Sequence, residues 1–66
     1  MKNRIRVARA DVRMTQQQLA EAIGVSRQTI NAIESGKFVP STVLALKMAQ
    51  IFEKPVEEIF MLDNED

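Results

Sequence analysis

The chain has 66 residues, with nine basic and nine acidic side chains and no histidine, cysteine, tyrosine or tryptophan. Without cysteine there are no disulfides and no thiolate metal sites, and without histidine the commonest zinc ligand and the commonest general base are missing. No stretch approaches the roughly 20 apolar residues that span a bilayer, and "MKNRIRVAR" leads into no apolar core of the kind a secretory signal has. What remains is one domain over residues 1–66, expected in the cytoplasm, with no metal and no cofactor. A domain this small buries only about 60% of the surface that its unfolded chain exposes. A second subunit is the support that the composition leaves available.

Five short helices are expected in chain order. Asn3 opens the first, over about 4–13, with Ile5, Ala8 and Val12 on one face. In "MTQQQLAEAIG", Thr15 is an N-cap and Gln18, three residues on, completes a capping box. Leu19, Ala20 and Ile23 form the apolar stripe of this second helix, and Gly24 supplies a left-handed residue to end it. Ser26 caps the third helix almost at once. Ile30 and Ile33 point inward, Arg27, Gln28, Asn31 and Ser35 point outward, and Gly36 stops the helix. Two helices joined by a three-residue turn containing glycine have the spacing of a helix-turn-helix.

"FVPS" follows as an extended link, because Pro40 keeps Val39 out of the helical region. Ser41 caps a fourth helix over about 42–52. Pro55 suits the start of a short fifth helix running through Phe60. The acidic "DNED" is expected to be a mobile tail over 63–66, which puts the ordered core at about 4–62. A short strand pairing of "IFMLD" with "MKNRI" is left open.

The fourth helix is apolar nearly all round, since only Lys47 and Gln50 are polar between Val43 and Phe52. One stripe is enough to pack a helix on its own domain. Ala45, Ala49 and Phe52 make one stripe, and Leu44, Met48 and Ile51 make another. Two readings follow: a helix at the centre of the domain, or one whose Leu44 and Ile51 join Phe60, Met61 and Leu62 against a second chain. The neutral total charge also conceals a gradient. Residues 1–40 hold seven basic against three acidic side chains, a net of +4, and residues 41–66 hold two against six, a net of −4. A ligand feels the field of the face it meets rather than the total.

"MTQQQLAEAIGVSRQTINAIESGKFVPS", followed by "LALKMAQIFEKPVEEIF", resembles the Cro and phage-repressor (Xre) type of helix-turn-helix regulator from about Ile5 to Phe60. The resemblance implies an all-α, five-helix, lambda-repressor-like DNA-binding domain with helix three as the recognition helix. It implies that Arg27 and Gln28 meet bases in the major groove of double-stranded DNA, with Asn31 one turn further along and Ser26 at the cap. It further implies phosphate contacts from Gln16 and Lys37, and an ion pair between Arg9 and Glu34 joining helices one and three. The chemistry agrees, because arginine matches guanine O6 and N7 and glutamine matches adenine N6 and N7. The function implied is a dimeric repressor that occupies a palindromic operator and needs no small-molecule ligand. An antitoxin that binds both an operator and a toxin protein is one alternative. A protein-interaction module that has lost DNA binding is the other. Catalysis is not expected, since the side chains most used for acid–base and nucleophilic work are absent.

Overall fold

The computed structural model describes all 66 residues: β1 (Lys2–Asn3), α1 (Ile5–Asp11), α2 (Gln16–Ile23), α3 (Arg27–Glu34), α4 (Thr42–Phe52), α5 (Val56–Ile59) and β2 (Phe60–Met61). Three helix starts are fixed by side-chain caps that satisfy backbone N–H groups with no partner inside their helix. The Thr15 hydroxyl accepts from Gln18 N at 3.0 Å while Gln18 Oε1 accepts from Thr15 N at 2.9 Å, which closes the capping box. Ser26 accepts from Thr29 N at 3.1 Å and Ser41 from Leu44 N at 3.2 Å. Gly24 ends α2 at φ +77°, a conformation that costs a side-chain-bearing residue about 1–2 kcal/mol.

Each helix contributes its apolar face to a single core. Ile5 and Ala8 come from α1, Leu19, Ala20 and Ile23 from α2, and Ile30 and Ile33 from α3. Met48 and Phe52 on α4, Ile59 on α5 and Phe60 on β2 complete it. The core residues are all apolar, and the Glu34 side chain, 2% exposed, lies outside this cluster. At about 1.5–3 kcal/mol for each large side chain taken from water, this cluster is the main source of stability.

The structure departs from the expectations in three places and settles the strand pairing that was left open. The first helix ends at Asp11, because Arg13 turns left-handed at φ +57°, and Val12 is exposed instead of buried. Asn3 is not its cap: the N-cap is Arg4, which makes no side-chain cap bond. Asn3 Oδ1 accepts from Ile5 N at 3.3 Å, and its amide reaches across the fold to donate to Ile33 O at 2.9 Å. The fifth helix stops at Ile59, where Phe60 turns extended, and Pro55 is its N-cap rather than its first turn. The terminal strand pair exists, antiparallel, with Lys2 opposite Met61 and Asn3 opposite Phe60.

Asp63 and Asp66, in the segment expected to be mobile, lie 3.1 and 3.4 Å from the Met1 amino group. That amino group's pKa is raised above its ordinary 8.0, chiefly by its hydrogen bond with Asp63. The Asp66 carboxyl is held below its ordinary 3.8, chiefly by the backbone N–H of Asp63.

On α4, Met48 and Phe52 are fully packed and Leu44, Ala45, Ala49 and Ile51 are partly buried against the core. Both expected stripes therefore serve the domain itself. The apolar side chains left outside are Val43 and Leu46, with Val39 just before the helix. Phe60 is only 9% exposed and is committed to the core, while Met61 is half-buried and Leu62 stands free. No helix is long and apolar enough to cross a membrane.

Candidate nucleic-acid interface

Helix α3 packs on the core through Ile30 and Ile33, and this orientation decides what its other face presents. Arg27, Gln28 and Asn31 are exposed on that face, and with Ala32, Ser35 and Lys37 they line an open cleft of about 400 Å³. Gly36, at φ +81°, turns the chain so that Lys37 N donates back to Ala32 O at 2.9 Å. That turn brings the Lys37 side chain to the same cleft as Arg27 and Gln28. Ser26 is also exposed, but its oxygen is engaged by Thr29 N and lies 3.0 Å from the Thr29 hydroxyl.

A second hollow lies beside the first, at the start of α2. Arg9, Thr15, Gln16 and Gln17 border it together with Arg27. The capping box occupies Thr15 N and Gln18 N and leaves the N–H groups of Gln16 and Gln17 without an acceptor in the protein, at a helix end that favours negative charge. Backbone donors, two guanidinium groups and two amides thus border one open surface.

Beneath this surface lies the carboxylate of Glu34, whose side chain is only 2% exposed. Arg9 grips it with two charge-assisted bonds, Nε to Oε2 at 2.7 Å and Nη2 to Oε1 at 3.1 Å. Arg9 also donates to Met14 O at 3.0 Å, so one guanidinium links α1, the turn before α2, and α3. Gln16 Nε2 donates to Glu34 Oε1 at 3.2 Å and to Asn31 Oδ1 at 3.4 Å. Arg9 and Glu34 thus form an ion pair between α1 and α3, and Gln16 ties the start of α2 directly to α3.

Arg6 was not among the expected site residues. Its Nε lies 3.8 Å from Glu34 Oε1 while the side chain stays 81% exposed. The signal was present in the sequence, since Arg6 and Arg9 are three residues apart on one helix and so share a face. No group of three or more acidic, histidine or cysteine side chains is arranged to hold a metal.

A compact helical domain in which α2 and α3 are joined by Gly24, Val25 and Ser26, with the outer face of α3 open and polar, is a helix-turn-helix domain. The comparisons with known proteins agree: the family model described as helix-turn-helix matches residues 5–59. The chain belongs to the Xre/Cro-type helix-turn-helix family. It is 47% identical to MJ0272 of Methanocaldococcus jannaschii and 44% identical to YgzD of Bacillus subtilis. Both alignments cover the whole of each chain, and both relatives are named as uncharacterized HTH-type transcriptional regulators.

Among solved structures, a candidate DNA-binding protein from Bacteroides fragilis superposes with a TM-score of 0.79 at 33% identity. The match covers 88% of this chain and 94% of that one. The clp gene regulator ClgR from Corynebacterium glutamicum superposes with a TM-score of 0.75 at 30% identity, over 82% of this chain and 57% of ClgR.

Proposed function

We propose that this protein is a cytoplasmic, sequence-specific DNA-binding regulator of transcription that acts as a homodimeric repressor by occupying a palindromic operator. The observation that carries this reading is the outer face of α3, where Arg27, Gln28 and Asn31 stand exposed on a helix locked to the core by Ile30 and Ile33. Arg27 and Gln28 read base edges in the major groove and Asn31 reads a third position, with Ser26 at the helix start. Gln16, through its backbone N–H at the start of α2, and Lys37 hold phosphates and so set the register of the helix without carrying sequence information. The acidic residues of the second half face away from the duplex, which reconciles a neutral chain with a polyanionic ligand.

A second copy of the chain supplies the other half of the operator. The apolar side chains left outside by α4 favour such a partner: Val39 and Leu46 line a hollow of about 290 Å³ with Pro40, Ala45 and Val56, and Val43 stands beside them. Knob and hollow on one face suit an isologous contact, in which each copy fills the other. Phe60 forms its floor, and Met61 and Leu62 follow in the chain, whereas Leu44 and Ile51 lie on the other side of α4 and pack on the domain's own core. Two recognition helices related by the dyad then enter successive major grooves about 34 Å apart.

The test is selection from random duplexes at about 0.1 M salt, where non-specific attraction is partly screened. Two inverted half-sites one helical turn apart are the expected product, and about three phosphates neutralised per subunit give a salt slope near −5. A single enriched half-site removes the dimer. No enrichment by folded protein removes the DNA reading. Co-purification of the monomer with a different protein favours the antitoxin alternative.

A further inference from the structure

The buried carboxylate of Glu34 sets the polarity of a chain of amides that ends on the recognition surface. An ionised carboxylate only accepts hydrogen bonds. With Glu34 held by Arg9 at 2.7 Å, Gln16 must turn its NH₂ end toward Oε1, at 3.2 Å. The same NH₂ lies 3.4 Å from Asn31, so Asn31 must present its oxygen to Gln16, and Oδ1 is the atom found there. An unrestrained asparagine on a helix surface turns its amide either way, offering a donor or an acceptor to suit the base. Here one end is occupied by a donor from within the protein. Asn31 Nδ2 has no acceptor in the protein and is left as the free group.

We infer that Gln16, besides any contact with phosphate, is a positioning residue that fixes Asn31 as a hydrogen-bond donor and thereby excludes cytosine at the base Asn31 reads. This rests on the DNA-binding reading above. In the major groove, guanine offers O6 and N7, adenine offers N7 and thymine offers O4 to a donor, whereas cytosine presents only its N4 amino group. A donor meeting cytosine leaves two donors facing each other. A free asparagine avoids the conflict by turning its oxygen to the cytosine amino group. Asn31 does not, because turning places its NH₂ against that of Gln16.

The experiment is selection from random duplexes with wild type, Asn31→Ala, Gln16→Met and Gln16→Lys, each checked for folding by its thermal transition. Asn31→Ala identifies the base position by the preference it erases. At that position wild type is expected to disfavour cytosine by about tenfold, and Gln16→Met to reduce this to about twofold, the scale of one neutral hydrogen bond. Gln16→Lys restores the exclusion, since an ammonium donates to both oxygens and accepts from neither. Loss of a phosphate contact alone weakens all sequences alike and does not move the preference.

Cytosine accepted by wild type overturns the inference, as does a preference that Gln16→Met leaves intact, or an Asn31→Ala variant with unchanged preferences. These results all leave sequence-specific binding standing. Absence of any enrichment by wild type removes the DNA reading itself, and this inference with it.

Discussion

Replacing Arg9 with methionine keeps most of the apolar stem and removes the guanidinium. Three hydrogen bonds are lost: two to Glu34, at 2.7 and 3.1 Å, and one to Met14 O, at 3.0 Å. The Glu34 side chain, 2% exposed, keeps only the Gln16 amide at 3.2 Å and the distant edge of Arg6. Removing one partner of a buried ion pair costs about 3–5 kcal/mol, mostly because the other charge is stranded. Arg9 itself is 14% exposed, so water reaches the vacated end of the pair and the lower limit, about 3 kcal/mol, applies. A chain of this length has about 3–10 kcal/mol of total stability, so the variant should be close to unfolding. A loss of about 3 kcal/mol lowers Tm by about 12–24 °C in a domain of this size.

The assay is urea unfolding followed by circular dichroism, with wild type, Arg9→Met, Glu34→Leu and the double variant. The double variant replaces the ion pair with apolar groups and should recover to within about 1 kcal/mol of wild type, since such replacements are often neutral. A cost below about 1 kcal/mol for Arg9→Met would refute the reasoning. It would place the pair with surface ion pairs, whose contribution is small.

Met48→Ala empties a site with no exposed surface at the centre of the core and is expected to cost about 2–5 kcal/mol by the same assay. Gly24→Ala isolates backbone strain, because an added Cβ at φ +77° meets nothing within 4 Å; a loss of about 1–2 kcal/mol is expected. Leu46→Glu places a charge on the apolar face beside Val43 and should lower the fraction of the proposed dimer in analytical ultracentrifugation without lowering the monomer's stability by more than about 0.5 kcal/mol. The clasp of Met1 by Asp63 and Asp66 should depend on pH at both ends. The amino group's pKa is raised, so its contribution is complete below its ordinary 8.0 and fades as pH rises through the shifted value. The Asp66 pKa is lowered, so its contribution is complete above its ordinary 3.8 and fades as pH falls through the shifted value. The chemical shift of the Asp63 backbone amide, which donates to Asp66 Oδ2, reports both limits.

The helix starts and the turn between α2 and α3 were legible in the sequence because their causes are local. A cap hydroxyl and the N–H it binds are three residues apart at Thr15, Ser26 and Ser41, and the left-handed exit from α2 needs only Gly24. The inward Ile30 and Ile33 and the outward Arg27, Gln28 and Asn31 follow from helical periodicity alone. At the end of the first helix, where the left-handed residue is not glycine, the signal failed: Arg13 turns at φ +57° and its side chain does not mark such a turn. The fourth helix ends at Phe52 as expected, although Glu53, at φ +53°, is no glycine either.

Contacts between distant segments were decided by the tertiary structure. Phe60 continues a helical pattern in sequence but turns extended, because Asn3 lies opposite to pair with it. Asn3 looks like a local cap, yet its amide spends its donor on Ile33, 30 residues away. The partial burial of every face of α4 except that of Val43 and Leu46 likewise depended on how five short elements closed around Met48. Composition and spacing set what each residue offers: a donor, an acceptor, a charge or an apolar surface. Which of those offers meet is a property of packing, since a buried polar group must find whatever partner the closed fold brings within reach. The Glu34 carboxylate found Arg9 and Gln16, and that meeting, invisible in any one segment, gives Asn31 its orientation.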